Sequence, residues 1–244
     1  MASHSWVGSM CMVDGRAVLP PSVVSIADTI TIVEDLGNRI PDKSWMLYLL
    51  EAFDRKKGAP VELNLICQFN DRDNFWAIFG GKNRYKFTKV LPHVGNTYLR
   101  QIIFRSDMQA IDYVVTDRTD GQREEYRLGV SDDTVGFQTK NHFTGIEWWN
   151  RVGGDPFPVR YRVAIAELMC GMGDGGDGIT YMPYDGLVPD SDRATTSYPV
   201  SFFAKPAIAS DAGDGYHYIS YDVGDGTTNA GLRLAGGRGR PATL

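Results

Sequence analysis

The chain has 244 residues, of which 43% are hydrophobic and 23% charged, and it carries a formal net charge of -5. That size suits one large β unit or a domain with an appendage, and the apolar fraction excludes a disordered chain. The acidic balance argues against a general binder of nucleic acid or of anionic membranes, which needs a basic face to displace counterions from phosphates.

Residues 1–19 read as an N-terminal segment ahead of the first strong strand pattern. Ile26, Ile30 and Ile32 then recur at period two with Thr29 and Thr31 between them, which puts the apolar set on one face of a pleated strand. Trp45 to Phe53 is dense in aromatic and apolar residues and reads as a strand in preference to a helix. Val61, Leu63 and Leu65 alternate with Glu62 and Asn64. Further strands are expected at Phe75 to Phe79, Tyr85 to Thr88, Tyr98 to Phe104, Ile111 to Thr116, Glu124 to Leu128 and Gly145 to Trp149. Tyr161, Val163 and Ile165 alternate with Arg160, Arg162 and Ala164 in a closing strand. Turn signals separate several of these runs: Asp71-Arg72-Asp73-Asn74, Gly80-Gly81-Lys82-Asn83, and Asp120-Gly121 as a two-residue hairpin turn. Short antiparallel strands at regular spacing imply a sandwich or barrel.

The order of segments from Trp45 to Leu168 resembles the concanavalin-like and laminin-G-like jelly rolls. The resemblance rests on the strand ending in Cys67-Gln68-Phe69, the Asn70 to Asn74 turn, the aromatic strand Phe75-Trp76-Ala77-Ile78-Phe79, and the hairpin from Ile111 to Leu128. It implies an antiparallel jelly-roll β-sandwich over residues 20–170 and transfers no function.

Composition shifts after residue 170. Residues 1–170 hold 20 basic and 21 acidic groups, whereas 171–244 hold nine Asp, no Glu and five basic residues. Within that stretch Asp174-Gly175-Gly176-Asp177-Gly178-Ile179-Thr180-Tyr181-Met182-Pro183-Tyr184-Asp185 recurs as Asp211-Ala212-Gly213-Asp214-Gly215-Tyr216-His217-Tyr218-Ile219-Ser220-Tyr221-Asp222. Each copy of this D-x-G-D-G-x-x-Y-x-x-Y-D pattern reads as an Asp/Gly turn followed by a short strand, because Gly supplies positive φ and Asp bonds its own backbone. The two tyrosines of a copy lie three apart, so they fall on opposite faces of a regular strand. Residues 171–244 are therefore expected to form a Gly/Asp-rich β extension, ending in the basic, flexible run Gly231 to Pro241.

Three chemical readings compete. Phe143-Thr144-Gly145-Ile146-Glu147-Trp148-Trp149-Asn150 offers what sugar recognition needs: flat rings of Trp148 or Trp149 to stack on a pyranose, with Glu147 and Asn150 for its hydroxyls. The oxygens of Asp174, Asp177 and Asp185, and of Asp211, Asp214 and Asp222, would suit calcium, although their spacing matches no standard calcium loop; no other cofactor is expected. A paired-carboxylate glycosidase would draw on Glu62, Glu124, Glu125, Glu147 or Glu167, but the E-x-D-x-x-E strand of jelly-roll glucanases is missing, and Glu124-Glu125 reads as a solvated strand edge. His4, His93, His142 and His217, and Cys11, Cys67 and Cys170, are scattered without metal-ligand or triad spacing, and no phosphate-binding glycine loop occurs.

The leading expectation is a non-catalytic module that binds a glycan or polymer surface. The alternatives are a structural subunit of an extracellular or virion-like assembly, self-associating through residues 171–244, and a jelly-roll glycosidase or lyase. With no apolar run of spanning length and no signal-peptide pattern, the expectation is cytoplasmic synthesis without membrane insertion, and release, if any, within an assembly.

Overall fold

The computed structural model describes residues 3–16, 18–32, 44–53, 61–68, 74–80, 83–105, 108–129, 141–150, 161–173, 178–184, 186–189, 209–210 and 217–223. Within these the strands are β1 (Ser3–Met12), β2 (Val23–Ile32), β3 (Ser44–Phe53), β4 (Val61–Gln68), β5 (Phe75–Gly80), β6 (Asn83–Lys86), β7 (Thr97–Arg105) and β8 (Ala110–Asp117). They continue as β9 (Arg123–Gly129), β10 (Asn141–Asn150), β11 (Tyr161–Met172), β12 (Thr180–Pro183), β13 (Gly186–Pro189), β14 (Ala209–Ser210) and β15 (His217–Val223). No helix among the described residues is long and apolar enough to cross a membrane.

The strands form two antiparallel sheets. One has seven strands in the order β13-β1-β10-β3-β4-β5-β6; the other has eight, β14-β15-β11-β2-β7-β8-β9 with β12 also on β11. The chain passes repeatedly between sheets, so β1 and β10 are neighbours in one while β2 and β11 are neighbours in the other. The result is an antiparallel β-sandwich of jelly-roll type. The described strands of the N-terminal and C-terminal segments join these sheets: β1 pairs with β10 and β13, and β12 and β15 pair with β11.

Alternation decides what fills the space between the sheets. Ile26, Ile30 and Ile32 of β2, Tyr98, Ile102 and Phe104 of β7, and Ile111, Tyr113 and Val115 of β8 meet Tyr48, Leu50 and Ala52 of β3, Val61, Leu63 and Leu65 of β4, and Trp76 and Ile78 of β5. Asp28 and Arg100 are charged residues at inward positions. Asp28 of β2 and Arg100 of β7 are Cα partners on adjacent strands, and both are wholly buried. Arg100 Nε donates to Asp28 Oδ1 at 2.8 Å and Nη2 to Oδ2 at 2.5 Å, a two-pronged pairing. Its remaining nitrogen, Nη1, crosses the sandwich and donates to the carbonyls of Tyr48 at 2.8 Å and Leu63 at 3.0 Å. The guanidinium also faces the rings of Tyr48 and Trp76, 5.4 and 5.9 Å from their centroids. Burial pushes the Asp28 carboxyl upward, and the Arg100 charge and hydrogen bonds work against it.

The turns follow side-chain chemistry. Asp117 Oδ1 accepts from Thr119 N at 2.8 Å and Asp120 N at 3.1 Å, and Asp117 N donates to Gln122 O at 2.8 Å. Gly121, at φ 74°, supplies the left-handed residue. The hairpin loop is therefore Arg118 to Gly121, longer than the two-residue Asp120-Gly121 turn expected from the sequence, because the Asp117 carboxylate organises the backbone ahead of the glycine. Residues 71–73 and 81–82 of the other expected turns lie outside the described residues.

Removing one member of the buried pair strands the other in a site without water. Arg100→Met is expected to destabilise the fold by about 3–5 kcal/mol, as is Asp28→Leu, whereas the double variant should recover much of that loss. Chemical denaturation of the three variants, analysed as a double-mutant cycle, measures it.

Candidate functional site

Beside the buried ion pair lies a second polar group. His142 of β10 is fully buried, and its Nδ1 is 2.6 Å from the hydroxyl of Tyr184, which follows β12 and is buried at 2% exposure. The two rings meet edge to face with centroids 5.1 Å apart. Burial first, and then the Arg100 charge, pull His142 down to about 3, so the imidazole is neutral at physiological pH. Burial pushes the Tyr184 hydroxyl up, with the neighbouring Cys11, Cys170 and Asp28 adding to the shift. A neutral imidazole and an un-ionised phenol can share one proton in a hydrogen bond. Cys11 and Cys170 are buried in the same core and neither is in a disulfide. His142 and Tyr184 are both closed to solvent.

The first copy of the repeat positions its tyrosines as its spacing predicts. Tyr184 faces the core; Tyr181 lies on the outer face of the eight-stranded sheet, where its hydroxyl is 3.1 Å from Ser25 Oγ and accepts a short hydrogen bond from Gln101 Nε2. Gly171, the Cα partner of Tyr181, makes room for this. A Cβ there would meet Ile179 Cγ2 at 2.5 Å and Ser25 Cβ at 2.8 Å. In the second copy, Tyr218 and Asp222 lie on β15, opposite Glu167 and Arg162 of β11. Both repeat strands thus pair antiparallel with β11, the first at Met169 to Met172 and the second at Tyr161 to Glu167. Asp174, Asp177, Asp185, Asp211 and Asp214 lie outside the described residues, as does the side chain of Asp222. Among the described residues no group of three or more His, Cys, Asp or Glu side chains is placed to hold a metal.

Glu124 and Glu125 do fall on opposite faces, but only Glu125 is solvated. The Glu124 carboxylate is 5% exposed and accepts from Lys89 N at 2.7 Å, Thr88 N at 3.0 Å, Val90 N at 3.2 Å and the Tyr85 hydroxyl at 3.0 Å. Burial raises its pKa and these bonds more than reverse the shift, holding it below the usual range. It is a latch between β9 and the segment after β6. On the outer face of the eight-stranded sheet, Arg105 and Arg127 both bond Asp112, at 2.8 and 2.6 Å, so much of the basic charge there is neutralised.

The seven-stranded sheet brings the aromatic candidates into register with new neighbours. At one level the Cα partners run His4, Trp149, Trp45, Gln68; two residues along they run Trp6, Glu147, Leu47, Ile66, Phe75. The intervening level is Ser5, Trp148, Met46, Cys67, and Asn150 stands between Ser3 and Ser44. Positions of Trp148 parity on β10 include His142 and Thr144, both buried, and the matching positions of β3 include the core residues Tyr48 and Leu50. Trp149 has the parity of half-buried Trp45 and of the buried Leu47, Leu49 and Glu51. The side chains of Glu147, Trp148, Trp149 and Asn150 are not among those described.

No protein-family model matches the chain, and no curated protein matches it. Among solved structures, scytalido-glutamic peptidase in complex with a peptide-based transition-state analogue is similar at a TM-score of 0.50 and 8% identity, over 89% of this chain and 98% of that one. Peanut lectin is similar at a TM-score of 0.35 and 10% identity, over 60% and 88% of the two chains. A CBM2 module of the evolved Dit protein of Lactobacillus casei phage J-1 has a TM-score of 0.34 at 12% identity, over 57% and 69%. At these identities the likeness to the peptidase is one of fold and assigns no chemistry, and the two weaker likenesses carry no argument.

The buried histidine makes stability depend on acid. The unfolded chain protonates His142 near pH 6.5, while the folded chain resists until about 3. Between those values the unfolded state binds one more proton, so stability falls as pH falls, by up to about 1.4 kcal/mol per pH unit from this group. Urea melts at pH 7 and pH 5 should show a larger loss for the wild type than for His142→Gln, and equal losses would contradict the assignment.

Proposed function

We propose that this protein is a non-catalytic binding module that recognises a glycan or polymer surface with the outer face of its seven-stranded sheet. One observation carries the reading. The register sets Trp149 beside Trp45, and Glu147 one level away in the row of Leu47 and Phe75. Trp45 and Phe75 are both half-buried, not core. Tryptophan, carboxylate and amide residues at these register positions are the types sugars need, since sugar C–H faces stack on rings while their hydroxyls need polar partners. Trp149, Glu147 and Trp45 form the contact set in this reading, while Trp148 and Asn150 fall on the alternate positions, where Tyr48 and Leu50 line the core.

A second reading, that of a structural subunit, is favoured by the repeat. Its two strands occupy consecutive stretches of β11, so residues 171–244 hold a strand-pairing motif used twice. In that reading a neighbour's copy engages the same kind of edge, and calcium, if bound, belongs to the Asp/Gly turns.

The binding reading predicts a division between the adjacent tryptophans. Trp149→Ala is expected to weaken polysaccharide binding at least tenfold with little change in melting temperature, and Trp148→Ala to lower the melting temperature by several degrees through loss of core volume. Intrinsic fluorescence titrations against a polysaccharide panel, paired with thermal melts, measure both. If neither variant alters binding, or no polysaccharide shifts the wild-type signal, the proposal fails.

A further inference from the structure

The connection from Phe87 to Asn96 carries the chain from β6, at one edge of the seven-stranded sheet, to β7 in the other sheet. Phe87 and Val90 on its inner side are buried in the core, while Leu91 and Val94 are exposed. The connection belongs to no strand, so its amides need partners other than a regular ladder. Toward each end that partner is a buried carboxylate.

Near its start, Glu124 of β9 takes three consecutive amides, those of Thr88, Lys89 and Val90, together with the Tyr85 hydroxyl. At its other end, Asp117 of β8 accepts Asn96 Nδ2 on Oδ2 at 2.8 Å, while Oδ1 holds the amides of Thr119 and Asp120. The anchors between them are neutral. The Tyr98 hydroxyl accepts from His93 N at 2.7 Å and donates to Leu91 O at 2.9 Å, and Gly95 N donates to Ile32 O at 2.8 Å.

We propose that residues 87–96 form an acid-released flap, latched at both ends by carboxylates, which swings from the end of the sandwich when Glu124 and Asp117 take up protons. An ionised carboxylate only accepts hydrogen bonds, whereas a protonated one carries an O–H of its own that must find an acceptor. Each latch presents only donors to its carboxylate, so a proton there displaces bonds and adds none. Burial raises both carboxyls and is the largest single influence on each, but the hydrogen bonds together outweigh it and hold both below the usual range. In the open form both carboxyls return to that range. The open form therefore binds more protons, and opening is flat above about pH 5 and grows as pH falls below it.

The surroundings of the two latches are otherwise aromatic and apolar, with charges set outward. Tyr85 of β6 stacks on Tyr126 of β9 with centroids 4.2 Å apart, and Val115 of β8 is the Cα partner of Glu124, with Arg100 next along that row. Arg123 and Glu125 flank Glu124 and bond each other on the opposite face of β9, and exposed Asp120 lies 3.4 Å from Asn96 Nδ2. The flap itself carries Lys89 and His93, both exposed. Opening uncovers Phe87 and Val90 and frees the end of the core beneath them. This device does not depend on the glycan reading.

The test follows amide hydrogen exchange of the full-length chain from pH 7 to pH 3.5, corrected for intrinsic exchange, with a hydrophobic dye reporting exposed core. Protection of Thr88, Lys89 and Val90 should fall at least tenfold more than that of Ile102 within β7, and dye binding should rise over the same range. Glu124→Gln, which keeps side-chain shape without the charge, should show the low protection already at pH 7 and little further change with acid. Asp117→Asn should do the same at Asn96. Lys89→Gln and His93→Gln should keep the wild-type pH profile. Ile102 protection in each variant reports whether the remaining fold is intact, and the wild-type profile stands without any variant. The proposal is overturned if the three amides follow Ile102 at every pH, which would mean global unfolding alone, or if Glu124→Gln keeps the wild-type dependence on acid.

Discussion

The Arg100 guanidinium ties the two layers of this sandwich together by hydrogen bonds, whereas most of the contact between the sheets is non-directional apolar packing. It is held within its own sheet by Asp28 and reaches across to the carbonyls of Tyr48 and Leu63, so one side chain fixes the relative position of β2, β7, β3 and β4. Apolar contact alone would tolerate small sliding of one sheet over the other. A planar fork with donors engaged on two sheets does not. The cost is the desolvation of two charges, which is why every nitrogen of the guanidinium has a partner in the core.

The same constraint extends to the strands that close the sheets. His142 sits close enough to Arg100 to feel its charge and is held neutral, so that it can bond the Tyr184 hydroxyl. Tyr184 in turn anchors the chain after β12, while Tyr181, three residues earlier, bonds Ser25 and Gln101 on the opposite face. One repeat copy therefore clamps the eight-stranded sheet from both sides. Gly171 is what allows the outer half of that clamp, since any larger residue would collide with Ile179 and Ser25. In the seven-stranded sheet the register sets Trp149 beside Trp45 and Glu147 beside Leu47.

Much of this was legible in the residues. Period-two patterns located β2, β4 and β11, strands were also expected where β3, β5, β7, β8, β9 and β10 lie, and the three-residue spacing of Tyr181 and Tyr184 foretold their opposite faces. The Arg100–Asp28 pair left a faint mark, because Asp28 occupies the parity of Ile26, Ile30 and Ile32 and so places an acid among core positions. Arg100 left a similar mark, since it stands at the parity of Tyr98, Ile102 and Phe104 while the other parity carries Thr97, Gln101 and Arg105. Glu124 was misread as solvated because its ligands, the backbone amides of residues 88–90, come from a distant segment and have no sequence signature.

What the sequence determined by itself is the strand-rich character, the alternation that sets each strand's two faces and the duplicated Asp/Gly–Tyr unit, all of which are local and follow from side-chain period and backbone preference. Which strands become neighbours, and therefore that Arg100 meets Tyr48 and Leu63 and that Trp149 stands beside Trp45, was decided only by the tertiary fold. Strand pairing joins residues far apart in the chain, and its energy comes from contacts that no single segment contains.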